Sequence, residues 1–126
     1  MATILVIEDE LNVLSILRDI LTAEGFAVIT ATDGQIGLET AYAQLPDLII
    51  CDVNLPRLDG YGVLKALHSN STTTTIPFIF LSARASRSAQ RQGMDLGADD
   101  YIPKPFTRQE LLNAIRGRLS RRQGLA

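Results

Sequence analysis

One cysteine, one histidine and two lysines are the whole supply of three chemically versatile residue types in this chain, and each scarcity excludes something. Cys51 has no partner for an internal disulfide, and its place inside an apolar run marks a buried thiol, as suits a reducing compartment. No apolar run approaches membrane-spanning length. The start Met1-Ala2-Thr3-Ile4-Leu5-Val6-Ile7-Glu8 also lacks the basic opening and long apolar region of a signal peptide. The cytoplasm is therefore the expected location. Excess positive charge is missing too. A net charge of -2 and a pI near 5.3 argue against direct nucleic-acid binding, which usually goes with a basic domain. His68, alone near a predicted helix end, reads as a surface residue and not as a phosphohistidine.

What is present is an ordinary globular composition: 126 residues, 46% apolar and 21% charged, enough for one domain with a real core. Thr3 to Ile7 is β-branched and apolar and predicts a buried strand. A helix follows with Val13, Leu14, Leu17, Ile20 and Leu21 at helical spacing, and Gly25 stops it. Phe26 to Thr30 predicts a second strand. Asp33-Gly34 opens a helix that carries Leu38, Ala41, Tyr42 and Leu45, and Pro46 closes it.

Leu48-Ile49-Ile50-Cys51 is the third strand, an unbroken apolar run as expected for a strand buried on both faces. Val63, Leu64 and Leu67 mark the third helix, and the run from Ser69 to Thr75 reads as a polar loop. Pro77 to Leu81 is the fourth strand. A weakly apolar helix from Ser86 to Leu96, with Ala89, Met94 and Leu96 and an interruption at Gly93, leads to a short fifth strand at Tyr101-Ile102. Thr107 and Glu110 have capping-box spacing, and Leu111, Leu112, Ile115 and Leu119 give the last helix its buried face. Arg116, Arg118, Arg121 and Arg122 load its end, where the helix dipole favours cations.

Strand and helix thus alternate five times. That pattern predicts an α/β fold, a parallel sheet with right-handed crossovers and helices on both faces. The expected organisation is one domain over 1–120, with 121–126 as a C-terminal tail or the start of a linker.

In a parallel sheet every strand points its carboxyl end to one rim, so the residues just past each strand are candidates for a single site. Past the first strand lie Glu8 and Asp9, past the third Asp52, past the fourth Ser82, and past the fifth Lys104. Each has a plain alternative. Asp9 suits a helix N-cap, Glu8 and Glu10 suit the positive end of the first helix, and Ser82 suits a turn. Lys104 as surface filler is the weakest of these, because the chain has only two lysines against ten arginines. Clustered carboxylates repel, so either their pKa values rise or a cation sits among them. Oxygen donors without nearby His or Cys favour a hard ion such as Mg²⁺. An aspartate beside Mg²⁺ and a lysine is a plausible phosphoryl acceptor, since that transfer needs mainly positioning and charge neutralisation.

In their order along the chain, Glu8-Asp9, Asp52 with Pro56 and Gly60, Leu81-Ser82-Ala83, and Tyr101 with Lys104-Pro105-Phe106 closely resemble the receiver domain of two-component response regulators. The match covers essentially the whole chain. The resemblance implies a flavodoxin-like sheet of order 2-1-3-4-5. It implies Asp52 as phosphoacceptor, and Mg²⁺ held by Glu8, Asp9, Asp52 and the backbone carbonyl of Asn54. Lys104 and Ser82 would contact the phosphoryl group, Ser82 and Tyr101 would form the switch, and the Lys104-Pro105 bond would be cis.

The implied function is phosphoryl acceptance from a sensor histidine kinase or phosphotransfer protein. The domain would then not be a turnover enzyme, and would catalyse only its own phosphorylation and dephosphorylation. The signal would leave through the fourth helix, fifth strand and fifth helix to a fused or separate output domain, a route that also allows a phosphorylation-dependent homodimer. Two residues depart from the commonest family pattern: the acidic pair is Glu-Asp where Asp-Asp is usual, and Ser82 stands where Thr is usual. Both keep the chemistry. The side chains of Asn54 and Arg84 occupy positions that modulate phosphoryl lifetime in the family.

Two other classes compete. A Mg²⁺-dependent phosphatase of the haloacid-dehalogenase type also uses an aspartyl phosphate, but it usually carries a second Asp where this chain has Asn54. A binding module that is never phosphorylated would not need the complete set of acceptor, metal ligands and lysine.

Overall fold

We describe residues 1–84 and 86–122 of a computed structural model, leaving aside the side chains of residues 121 and 122. The elements alternate as expected: β1 (Thr3–Ile7), α1 (Leu11–Ala23), β2 (Ala27–Ala31), α2 (Gly34–Gln44), β3 (Leu48–Cys51), α3 (Gly60–His68), β4 (Phe78–Ser82), α4 (Arg87–Asp95), β5 (Asp100–Pro103) and α5 (Arg108–Arg122). The five strands form one sheet of order β2-β1-β3-β4-β5, and every pairing is parallel.

Alternation of side chains along each strand divides the core in two. Ile4, Val6, Leu48, Ile50, Ile79, Leu81 and Ile102 point to one face, where Leu14, Leu17 and Leu21 of α1 and Leu111, Leu112 and Ile115 of α5 cover them. Leu5, Ile7, Ile49, Cys51, Phe78 and Phe80 point to the other, beneath Ala41 of α2 and Val63, Leu64 and Leu67 of α3. Both faces are apolar, which is why β3 and β4 are buried at every position. Asp side chains start two strands: Thr3 N–H donates to Asp47 (2.7 Å) and Phe78 N–H to Asp99 (2.8 Å).

The structure revises some details. Tyr42 and Leu45 do not belong to a buried face. They are 39% and 50% exposed, and Leu45 is the left-handed C-cap of α2 at φ 47°. In α4, Met94 is exposed while Gly93 is buried. Gly93 is no interruption: a Cβ there would stand 2.9 Å from the Tyr101 ring and 3.0 Å from Phe80, so the glycine lets α4 lie against β4 and β5. The run from Ser69 to Thr75 is a loop of turns as expected, and within it Thr73 is buried, its hydroxyl donating to the Leu67 carbonyl at 2.7 Å.

The capping box of α5 is formed in both directions, Thr107 N–H to Glu110 (3.1 Å) and Glu110 N–H to the Thr107 hydroxyl (3.0 Å). Helix α5 runs to Arg122, so the expected domain boundary at 120 falls inside it. Arg116, one of the four terminal arginines, joins Arg108 in pairing with Glu24, the C-cap of α1, at 2.7 and 2.6 Å. The expected linker residues 123–126, and the side chains of Arg121 and Arg122, lie outside the described residues.

Candidate functional site

Parallel pairing brings the residues after β1, β3, β4 and β5 to one edge. The Asp52 N–H donates to the Ile7 carbonyl at 3.0 Å and the Glu8 N–H to the Ala31 carbonyl at 3.0 Å, which carries the ladder one residue past each strand. Glu8 and Asp52 are consequently only 1% and 5% exposed. At the far side, Lys104 N–H donates to the Ser82 carbonyl at 2.9 Å, tying the end of β5 to the end of β4.

The Lys104 ammonium joins these pieces. Its Nζ lies 2.7 Å from Glu8 Oε1, 2.9 Å from Asp52 Oδ2 and 3.6 Å from Glu10 Oε1. The Lys104-Pro105 bond is cis, as the sequence resemblance implied. Burial pushes Glu8 up from 4.5 to about 7. The neighbouring Asp52 charge adds to the rise, and the hydrogen bond from Lys104 opposes it. Burial disfavours the Lys104 cation, but its hydrogen bonds to Glu8 and Asp52 outweigh this and leave its pKa above the ordinary value.

Glu8, Glu10 and Asp52 each offer an oxygen within 4.8 Å of the others. This set fits a hard divalent cation, which takes oxygen ligands and offsets carboxylate repulsion. Asp9 is exposed and lies outside that group. Glu10, which by sequence suits the positive end of the α1 dipole, is instead part of that group. It makes no side-chain cap to α1, and its N–H donates to Glu8 Oε2 at 3.2 Å. Its signal was its position two residues after Glu8, where an extended chain places side chains on the same side.

Ser82 is fully buried, and its Oγ accepts the Arg84 N–H at 3.2 Å. Tyr101 is 6% exposed, with its ring 5.7 Å from that of Phe80 and its hydroxyl donating to the Arg84 carbonyl at 2.6 Å. Burial raises the Tyr101 pKa, and the Ser82 side chain opposes the rise. Asn54 lies in the loop after β3, and its N–H donates to Asp52 Oδ1 at 3.3 Å. Cys51 is fully buried and its thiol is pushed up by burial and then by the charges of Asp52, Glu8 and Asp59, so it is an inert core residue.

Residues 4–116 match the family model described as the response regulator receiver domain. The chain belongs to that family. Similar proteins include the transcriptional regulatory protein CpxR of Escherichia coli K12, 41% identical over 96% of this chain and 50% of that protein. The response regulator MprA of Mycobacterium leprae is 43% identical over 94% of this chain and 51% of its own length. This receiver domain therefore spans about half the length of these relatives. Among solved structures, a putative response regulator from Chloroflexus aurantiacus superposes with a TM-score of 0.91 at 37% identity, covering 94% of this chain and 98% of the other. The receiver domain of the sensor histidine kinase PA1611 from Pseudomonas aeruginosa gives a TM-score of 0.88 at 28% identity over 94% and 98% of the two chains. That structure has a magnesium ion coordinated in its active-site cleft. As a member of the family, this domain is a phosphoacceptor module of two-component signalling.

Proposed function

We propose that Asp52 accepts the phosphoryl group, from a sensor histidine kinase or from the histidine of a phosphotransfer protein. An Asp52 carboxylate oxygen attacks phosphorus, the P–N bond to the donor imidazole breaks, and the imidazole leaves and takes up a proton. The product is an acyl phosphate. The observation that carries this reading is the Lys104 ammonium held 2.9 Å from Asp52 Oδ2 at a buried rim. A fixed cation beside the acceptor is poised to neutralise charge on the transferring group, with no reorganisation at the moment of reaction. Ser82 contributes its hydroxyl to the same group, and Tyr101, whose hydroxyl donates to the Arg84 carbonyl two residues beyond that serine, completes the switch pair.

Mg²⁺ suits the donor set, and when bound it would supply charge neutralisation for the phosphoryl oxygens. Glu8, Asp52 and the Asn54 carbonyl are its proposed ligands together with Asp9, the residue the family pattern assigns. Glu10 is the competitor for Asp9's place, since its carboxylate belongs to the compact group. Comparing Mg²⁺ affinity in Asp9→Asn and Glu10→Gln decides: loss in the second with retention in the first would give the place to Glu10.

The domain acts only on itself, forming and hydrolysing its own aspartyl phosphate. Output passes through α4, β5 and α5 to a fused or separate effector domain, by a route that allows phosphorylation-dependent homodimers. No direct nucleic-acid contact is proposed, in keeping with the net charge of -2. The proposed setting is the cytoplasm, and no described helix is long and apolar enough to cross a membrane. Residues 1–120 form the proposed receiver unit and 121–126 the approach to a linker.

The donor protein docks on the groove beside Lys104. This groove of about 440 Å³ is lined by Val13, Ile16 and Ile20 of α1 with Pro105 and Phe106. Its continuity with Lys104 supports this docking surface.

The test is incubation with Mg²⁺ and acetyl phosphate, followed by intact mass measurement. A one-phosphate increase is expected in the wild type, and none in Asp52→Asn or with EDTA. Undiminished labelling of Asp52→Asn would overturn the assignment.

A further inference from the structure

The loop that follows Asp52 is held from two sides. On the inside, the Gly60 N–H donates to the Val53 carbonyl at 2.8 Å. On the outside, the loop meets the corner between β2 and α2. The Gly34 N–H donates to the Pro56 carbonyl at 3.2 Å, and that carbonyl also accepts the Leu58 N–H at 2.8 Å across Arg57. Arg57 sits at φ 71°, the centre of a three-residue γ-turn that a non-glycine residue adopts only under constraint. Gly34 supplies that constraint through proximity. A Cβ built on it would run into the Leu58 carbonyl oxygen and come within 2.6 Å of the Leu58 carbonyl carbon. Asp33 adds an ion pair to Arg57 at 3.4 Å while capping α2 through the Ile36 N–H at 2.8 Å. Arg57 is 62% exposed, so that pair is a minor part of the clamp and the backbone approach is the major part.

We infer that Gly34 is a positioning residue: the β2–α2 corner clamps the loop carrying Asn54 and thereby sets Mg²⁺ affinity, without itself touching the ion. The inference rests on the proposed function, in which the Asn54 carbonyl is a ligand. A small backbone shift at Pro56 or Leu58 is transmitted to Asn54, because the loop is pinned again at Val53 and Gly60 and has few residues in which to absorb it. Groups that orient a metal ligand without touching the ion are typically worth about 10–100-fold in metal affinity or activity.

The test uses the full chain as wild type and as Gly34→Ala. Mg²⁺ binding is followed by calorimetry, and acetyl phosphate labelling is followed against Mg²⁺ concentration. Gly34→Ala is expected to bind Mg²⁺ about tenfold more weakly. At saturating Mg²⁺ its labelling rate should lie within about twofold of wild type, so the loss falls on binding and not on transfer. A merely structural role would depress the rate equally at every Mg²⁺ concentration, and that result overturns the inference.

A second measurement needs no variant. If the corner favours the ion, the ion must favour the corner by the same factor, so Mg²⁺ should slow hydrogen exchange of the wild-type Gly34 amide. Exchange of that amide unaffected by Mg²⁺, or unchanged affinity in Gly34→Ala, overturns this inference alone. A wild type that binds no Mg²⁺ overturns the proposed metal site and this inference with it.

Discussion

Glu8 is a carboxylate buried against its own charge, and the cost sets a pH dependence. Its folded pKa of about 7 lies above its ordinary 4.5, so between these values the folded chain binds more protons than the unfolded chain. Stability without added metal should therefore fall as pH rises from about 4.5 to about 7, by up to about 3 kcal/mol from this group. Lys104 stays protonated throughout that window, since its own pKa is raised. Urea unfolding at pH 5 and pH 8 in EDTA checks this. The slope should be smaller in Glu8→Gln and should reverse in saturating Mg²⁺, which favours the ionised carboxylate. An equal slope in wild type and Glu8→Gln would remove Glu8 as its source. At this scale the sequence was informative about Glu8, Asp52 and Lys104, because each ends a strand. It was less so about Glu10 and Asp9, because which of two adjacent acids turns inward depends on loop dihedrals that composition does not record.

The elements differ in how their sequences announce them. Helix α5 carries a formed Thr107–Glu110 box, and Thr107→Ala should cost about 1 kcal/mol in chemical denaturation, with labelling at Asp52 unchanged. A cost near zero would mean that tertiary packing alone holds the helix start. Strand β4 was readable as an apolar run, and its Phe80 is fully buried between the rings of Phe78, Tyr61 and Tyr101. Phe80→Ala should destabilise by about 3–5 kcal/mol by leaving a cavity under Tyr101. Helix α4 was the least readable element. Its packing depends on the absence of a side chain at Gly93, and a missing Cβ gives no hydrophobic signal. The same holds for Gly34, whose value lies in letting another segment's backbone come close.

For the whole molecule, the consequential feature is the apolar groove that adjoins the charged rim. Ile16 is 52% exposed on α1 and lines that groove with Phe106, although neither touches Asp52 in the proposed chemistry. Ile16→Asp should slow phosphoryl transfer from a histidine kinase that labels the wild type, and leave labelling by acetyl phosphate unchanged. Equal loss with both donors would place the defect in the fold or the site rather than in docking. The groove and the α4–β5–α5 surface are proposed for separate tasks, one toward the donor and one toward an effector, and Arg108 at the start of α5 borders the groove.

The sequence by itself determined the alternation of elements, the parallel sheet and the identity of the residues at its rim. Period and turn chemistry are local, and a parallel sheet sends every strand end to the same edge. Only the tertiary structure decided that Lys104 bridges Glu8 and Asp52, that Glu10 joins them, and that Gly34 lies beneath the loop carrying Asn54. Those are contacts between residues far apart in the chain. Their geometry depends on how closely backbones approach, which no single stretch of sequence specifies.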